Sequence, residues 1–229
     1  MNPTAGVLGE AWAMYKAHWR HLLPIALVVY VAVGLVSLLL ALLLDRWAAG
    51  LLAALVSLIA TFWLQGALVK AIDDVRDGRP DLSLGETFAR VRPQLVAIIV
   101  AGVLAAIGVI LGLILLIIPG LYLLTRWILI IPVIVLEGRT AGESFGRSWD
   151  LVRGFAWNVF GVIVLTILIL IGFRIALEII LFPLSDEIQS LLTELIAGTL
   201  ATPFAALAWT LLYFRLREAK EPAQAPATV

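Results

Sequence analysis

Apolar residues run without interruption through six stretches of this chain, at positions 24–44, 47–69, 95–118, 121–136, 159–182 and 191–212, and polar residues collect between them. A helix needs roughly 20 apolar residues to cross the hydrocarbon core of a bilayer. Five stretches reach that length, and the fourth crosses with little tilt once Gly120 and Glu137 are added. The runs are continuous rather than alternating, which excludes a transmembrane barrel. In lipid this leaves the helix, which satisfies its own backbone. The pattern predicts an all-α, polytopic membrane protein with six transmembrane helices.

A second pattern lies between the spans. Gly9-Glu10-Ala11-Trp12, Gly85-Glu86-Thr87-Phe88 and Gly142-Glu143-Ser144-Phe145 share the form Gly-Glu-small-aromatic, and each stands shortly before an odd-numbered span. Leu8, Trp12, Tyr15, Trp19 and Leu22 fall on one helical face, as do Leu84, Phe88, Val91 and Leu95, and then Phe145, Trp149 and Val152. Basic residues occupy the other faces: Lys16 and Arg20, Arg90 and Arg92, Arg147 and Arg153. Amphipathic helices with aromatic anchors and a basic face lie in the headgroup region. The chain therefore reads as three repeats of an interfacial helix plus a transmembrane hairpin. They form one membrane domain, 1–217, with units of about 1–69, 70–136 and 137–217, followed by an Ala/Pro/Glu-rich tail, 218–229, expected to be disordered.

Interfacial lipid contact is expected from Trp12, Trp19, Phe88, Arg90, Arg92, Phe145, Arg147, Trp149 and Arg153. Ser83 with Glu86, and Thr140 with Glu143, have the spacing of capping boxes, which gives both glutamates a structural role. Asn2 followed by Pro3 is the expected start of the first helix. Glu143 is expected to pair with Arg147, and Asp150 with Arg147 or Arg153.

Charge orients this arrangement. The net charge of zero hides an asymmetry: thirteen of the 16 Lys and Arg residues lie on the side of the N-terminus, Arg46 alone lies on the other, and Arg126 and Arg174 fall within spans. By the positive-inside rule both termini are cytoplasmic, and the basic faces there imply anionic lipid as a partner. There is no cysteine, hence no disulfide or thiolate chemistry. His18 and His21 lie one turn apart without a third ligand, so no metal is expected. No His-Glu-x-x-His, Gly-x-Ser-x-Gly or P-loop occurs, and neither a cofactor nor nucleic acid is implied.

The remaining chemistry lies inside the spans. At 1.5 Å rise per residue, Arg126 and Arg174 fall near the midplane and Glu178 and Glu194 roughly 10 Å beyond it. Each charge at depth costs roughly 2.5–3.5 kcal/mol on insertion scales. The four are therefore expected to converge on one polar cluster, either a structural knot or a site for a substrate or headgroup, with Gln65 as a further candidate. Gly108 and Gly112 form a small face for close helix contact, and Pro132 and Pro203 are expected to kink their spans.

Residues 117–165 carry a resemblance. Pro119-Gly120 and Tyr122 lead into Thr125-Arg126-Trp127, then Pro132 and Glu137-Gly138, followed by Glu143-Ser144-Phe145, Arg147-Ser148-Trp149-Asp150-Leu151-Val152, Gly154 and Trp157. This resembles the membrane domain of bacterial glycerophosphoryl diester phosphodiesterases and its stand-alone relatives. The resemblance implies a helical domain of a bacterial plasma membrane and carries no reaction with it. In the full-length enzymes catalysis belongs to a separate barrel domain, for which about a dozen residues after the last span leave no room.

Three functions remain open on these residues. The first is a non-enzymatic integral membrane module interacting with lipid headgroups or a membrane-protein partner. The second is a small transporter or lipid-moving protein using the Arg/Glu site, and the third an intramembrane enzyme with Glu178 and Glu194 as acid and base. The topology is testable directly, because there is no native cysteine. Single cysteines at residues 46 and 186 should react with an impermeant external thiol reagent and one at residue 79 should not; the opposite labelling inverts the orientation.

Overall fold

The computed structural model describes residues 2–76 and 82–221. Arg79 and positions 222–229 of the expected tail lie outside the described residues. Among the described residues the helices are α1 (Val7–Leu43), α2 (Arg46–Arg76), α3 (Leu84–Val91), α4 (Leu95–Leu115), α5 (Ile117–Trp127), α6 (Ile130–Glu137), α7 (Ala141–Val152), α8 (Ala156–Leu181) and α9 (Asp186–Lys220). Six helical segments are long and apolar enough to cross a membrane: Val7–Leu43, Arg46–Arg76, Leu84–Leu115, Ile117–Glu137, Ala156–Leu181 and Ile188–Lys220. The outer face of the bundle is apolar, with Leu42, Ile114, Ile118 and Ile180 each at least 70% exposed. Water would penalise such a surface, whereas lipid chains match it.

The main core lies toward the end of the bundle that holds both described chain ends, called here the basic end. Leu22 and Ile25 of α1, Leu68 and Ile72 of α2, Leu129, Leu151 of α7, and Leu207 and Tyr213 of α9 meet there, all fully buried. A second cluster joins Val69, Val91, Ile98 and Ile134 beneath α3. The small face of α4 does what its spacing predicts. A Cβ on Gly108 would stand 2.6 Å from the Trp127 ring, and one on Gly112 would stand 2.9 Å from Gly120 Cα, so only glycine lets α4 and α5 approach this closely.

The fourth span is broken. Pro132 has no N–H to give the carbonyl of Ile128, and its ring crowds that carbonyl. The helix stops at Trp127 and restarts at Ile130. Ser148 of α7 fills the gap: its hydroxyl donates to the Arg126 carbonyl at 2.7 Å and accepts from the Leu129 N–H at 3.3 Å. Both backbone groups would otherwise be unpaired in an apolar setting. Pro203, by contrast, sits within a helix that continues through it.

The three Gly-Glu-small-aromatic segments are all helical but join their spans differently. The first is continuous with its span, bent only at His18 (φ −123°, ψ 19°). The second passes through a tight 3-10 turn at Arg92–Gln94, and the third is separated from α8 by Gly154 at φ +90°. Both capping boxes form, with Ser83 and Glu86, and Thr140 and Glu143, exchanging side-chain and backbone hydrogen bonds. The start of α1 departs from expectation. Asn2 Oδ1 accepts from the N–H and hydroxyl of Thr4, closing a local turn, and the helix begins only after Gly6. At the other end α9 runs to Lys220, so 218–220, expected in the tail, are helical.

Ser148→Ala leaves the Arg126 carbonyl and the Leu129 N–H without their partner. It should destabilise the protein by about 1–3 kcal/mol, measured by unfolding titration in mixed micelles, whereas the exposed Ser83→Ala should cost about 1 kcal/mol or less.

Candidate functional site

The sequence expects Arg126, Arg174, Glu178 and Glu194 in one cluster. The structure brings three of them together. Arg174 Nε reaches Glu178 Oε1 at 3.1 Å one turn along α8, and its Nη1 lies 3.9 Å from Glu194 Oε2 on α9. All three side chains are at least 47% exposed, so the group is a surface patch near the end opposite the basic one.

Arg126 is elsewhere. Its guanidinium lies 5.0 Å from the Tyr122 ring and 4.7 Å from the Trp149 ring, and its Nε and Nη1 are buried without a hydrogen-bond partner. The expectation grouped the four residues by depth alone. The Pro132 break lets α7 dock at this level instead, so aromatic faces rather than carboxylates receive the charge, an attraction of about 0.5–2 kcal/mol per ring.

The residues expected at the lipid interface divide into two groups. Trp12 and Trp19 are 52% and 47% exposed, with Lys16 and Arg20 over their rings. Arg90, Arg92 and Arg153 are exposed. Phe88 instead turns inward onto Trp63, Phe145 onto Trp127 and Trp149 onto Tyr122. Arg147 is likewise withdrawn from solvent. It does not pair with Glu143, which is held by its cap; its Nε lies 2.9 Å from Glu137 and its Nη1 lies 2.7 Å from Glu221. Burial opposes the charge on Arg147, but its hydrogen bonds to Glu221 and Glu137 outweigh that and raise its pKa. The same guanidinium lowers the pKa of Glu221. Among the described residues Asp150 makes no ion pair with Arg147 or Arg153; its backbone carbonyl accepts from Lys220 Nζ at 2.6 Å.

Glu137 is the residue that pattern reading missed. It accepts from Arg139 and Arg147, each at 2.9 Å, and from the Tyr213 hydroxyl at 2.9 Å, which ties α6, α7 and α9 together. The signal was present as a lone carboxylate at the basic end of a span, but two of its three partners lie 10 and 76 positions away. Further pairs close the basic end: Arg76 with Glu218 at 2.5 Å, Arg215 with Glu10, Arg217 with Glu221 at 3.5 Å and Lys70 with Asp73 at 2.7 Å.

A cavity of about 590 Å³ opens among the spans at mid-depth. Leu124, Ile128, Ile131 and Leu170 represent its aliphatic wall, with Trp127 and Trp209 beside them. Tyr30 and Thr202 also line it, their hydroxyls bonded to each other at 2.9 Å, and so does Gln65, the further candidate noted in the sequence.

Residues 97–216 match the membrane domain of glycerophosphoryl diester phosphodiesterase. No curated protein and no solved structure matches the chain. The matched region runs from α4 through α9 and contains the Pro132 break, the Ser148 bridge, the Arg126 box and the Glu137 knot. It covers just over half of the 229 residues, so this multi-pass membrane chain belongs to the glycerophosphoryl diester phosphodiesterase membrane-domain family.

Proposed function

We propose that the protein is a non-enzymatic membrane module whose cytoplasmic end binds anionic lipid headgroups. The observation that carries this reading is how the cations at the basic end are used. Lys70, Arg76, Arg139, Arg147, Arg215 and Arg217 each have a carboxylate within 4.0 Å. Lys16, Arg20, Arg90, Arg92 and Arg153 have no such ion pair among the described residues. These five lie on or next to the amphipathic segments, two of them beside the exposed Trp12 and Trp19. Indole at the interface with cations above it is the chemistry that holds a helix against an anionic leaflet.

This reading names five lipid-facing cations where the sequence pattern alone included Arg147. Arg147 is excluded because its charge is already neutralised by Glu137 and Glu221. Each free cation near an anionic surface contributes about 1 kcal/mol.

Spin-labelled phosphatidylglycerol and phosphatidylcholine in reconstituted bilayers measure the preference. Arg90→Glu with Arg92→Glu, and separately Lys16→Glu with Arg20→Glu, should each lower the selectivity for the anionic lipid by about 1 kcal/mol per charge, with helicity and thermal stability retained. Selectivity equal to that of the parent in both variants overturns the reading.

A further inference from the structure

We infer that the cavity between the spans is a binding site for one lipid acyl chain, with Gln65 receiving a polar group carried on that chain. The inference is independent of the headgroup reading above, since none of the five free cations lines the cavity.

Depth is the first consideration. Thr61 to Val69 of α2 and Gly102 to Ile110 of α4 border the cavity. At 1.5 Å per residue that is roughly 12 Å along the bundle axis.

The second consideration is what can fill it. At about 590 Å³ it falls within the range of roughly 300–1,000 Å³ typical of small-molecule sites. Left empty, its walls would lose dispersion contacts that close packing normally supplies. A buried water requires two to four polar partners, and this wall offers few. The Tyr30 and Thr202 hydroxyls share one hydrogen bond, and the side chains of Leu124, Ile128, Ile131, Leu170, Ala205 and Ala206 offer none. In a bilayer the abundant apolar filler is a lipid chain, so the surroundings supply the occupant.

The third is polarity at one place. Gln65 lines the cavity, and its amide makes no hydrogen bond to any described residue. An amide brings two donors and an acceptor. Placed in an apolar wall, it suits an ester carbonyl, a carboxyl or a hydroxyl on the occupant.

The test uses cis-parinaric acid, a fluorescent fatty acid, with the full chain in a neutral detergent. Trp127 and Trp209 line the cavity and should transfer excitation to the bound probe. Filling the cavity with Ala105→Leu plus Ala205→Phe should weaken binding at least fivefold, and Gln65→Leu should weaken it severalfold. Trp209→Phe changes little of the wall and should leave affinity intact while reducing energy transfer, so location is established even if the filled variant does not fold. Arg90→Glu with Arg92→Glu should leave probe binding unchanged, which separates this site from the headgroup surface. Parent-like binding by a folded filled variant, or undiminished transfer in Trp209→Phe, overturns the proposal.

Discussion

In hydrocarbon no water completes a backbone hydrogen bond, so every break in a spanning helix must be repaired from within the chain. Pro132 makes such a break and Ser148 repairs it. The repair has consequences beyond two hydrogen bonds. It fixes α7 against the α5–α6 junction, which sets Trp149 over Arg126 and brings Arg147 to Glu137. Glu137 in turn holds Tyr213 of α9. The break and its Ser148 bridge both lie within the region that carries the family match.

The motif residues acquire separate physical duties in this light. Gly120 gives α4 and α5 their close approach, Gly138 closes α6 in the left-handed region at φ +67°, and Thr140 with Glu143 starts α7. Arg126 is the exception, a half-buried cation with two unpartnered nitrogens and no carboxylate among its contacts, held by aromatic faces. The adjacent cavity is lined by Leu124 and Trp127 of α5 and by Ile128 just after it.

The number of spans and the amphipathic segments between them were legible because they rest on local periodicity and length. The two capping boxes were legible for the same reason, since each closes within four residues. Arg126 was grouped with the wrong partners because the four charges were placed by depth alone, and a proline marks that a helix breaks without saying what docks in the gap. Arg147 was assigned to lipid because it lies on the basic face of its segment, and its expected ion-pair partners were Glu143 and Asp150. Glu143 is consumed by its own cap, and the turn at Gly138 presents Glu137 instead. Long-range contacts such as Glu137 with Tyr213, and the cavity itself, depend on how whole helices cross and leave no trace in local spacing.

The carboxylates that neutralise Arg76 and Arg147 at the basic end include Glu218 and Glu221, at the far end of α9. Synthesis reaches these two only after the earlier spans have left the ribosome. Until then Arg76 lacks Glu218 and Arg147 has Glu137 but not Glu221, so both carry more uncompensated charge than in the finished bundle, charge of the kind that holds a segment on one side of a membrane. Once α9 arrives, the same arginines become the bolts of the finished bundle. A cation of the kind that orients a span can thus also lock the finished bundle, once a carboxylate from the far end of the chain reaches it.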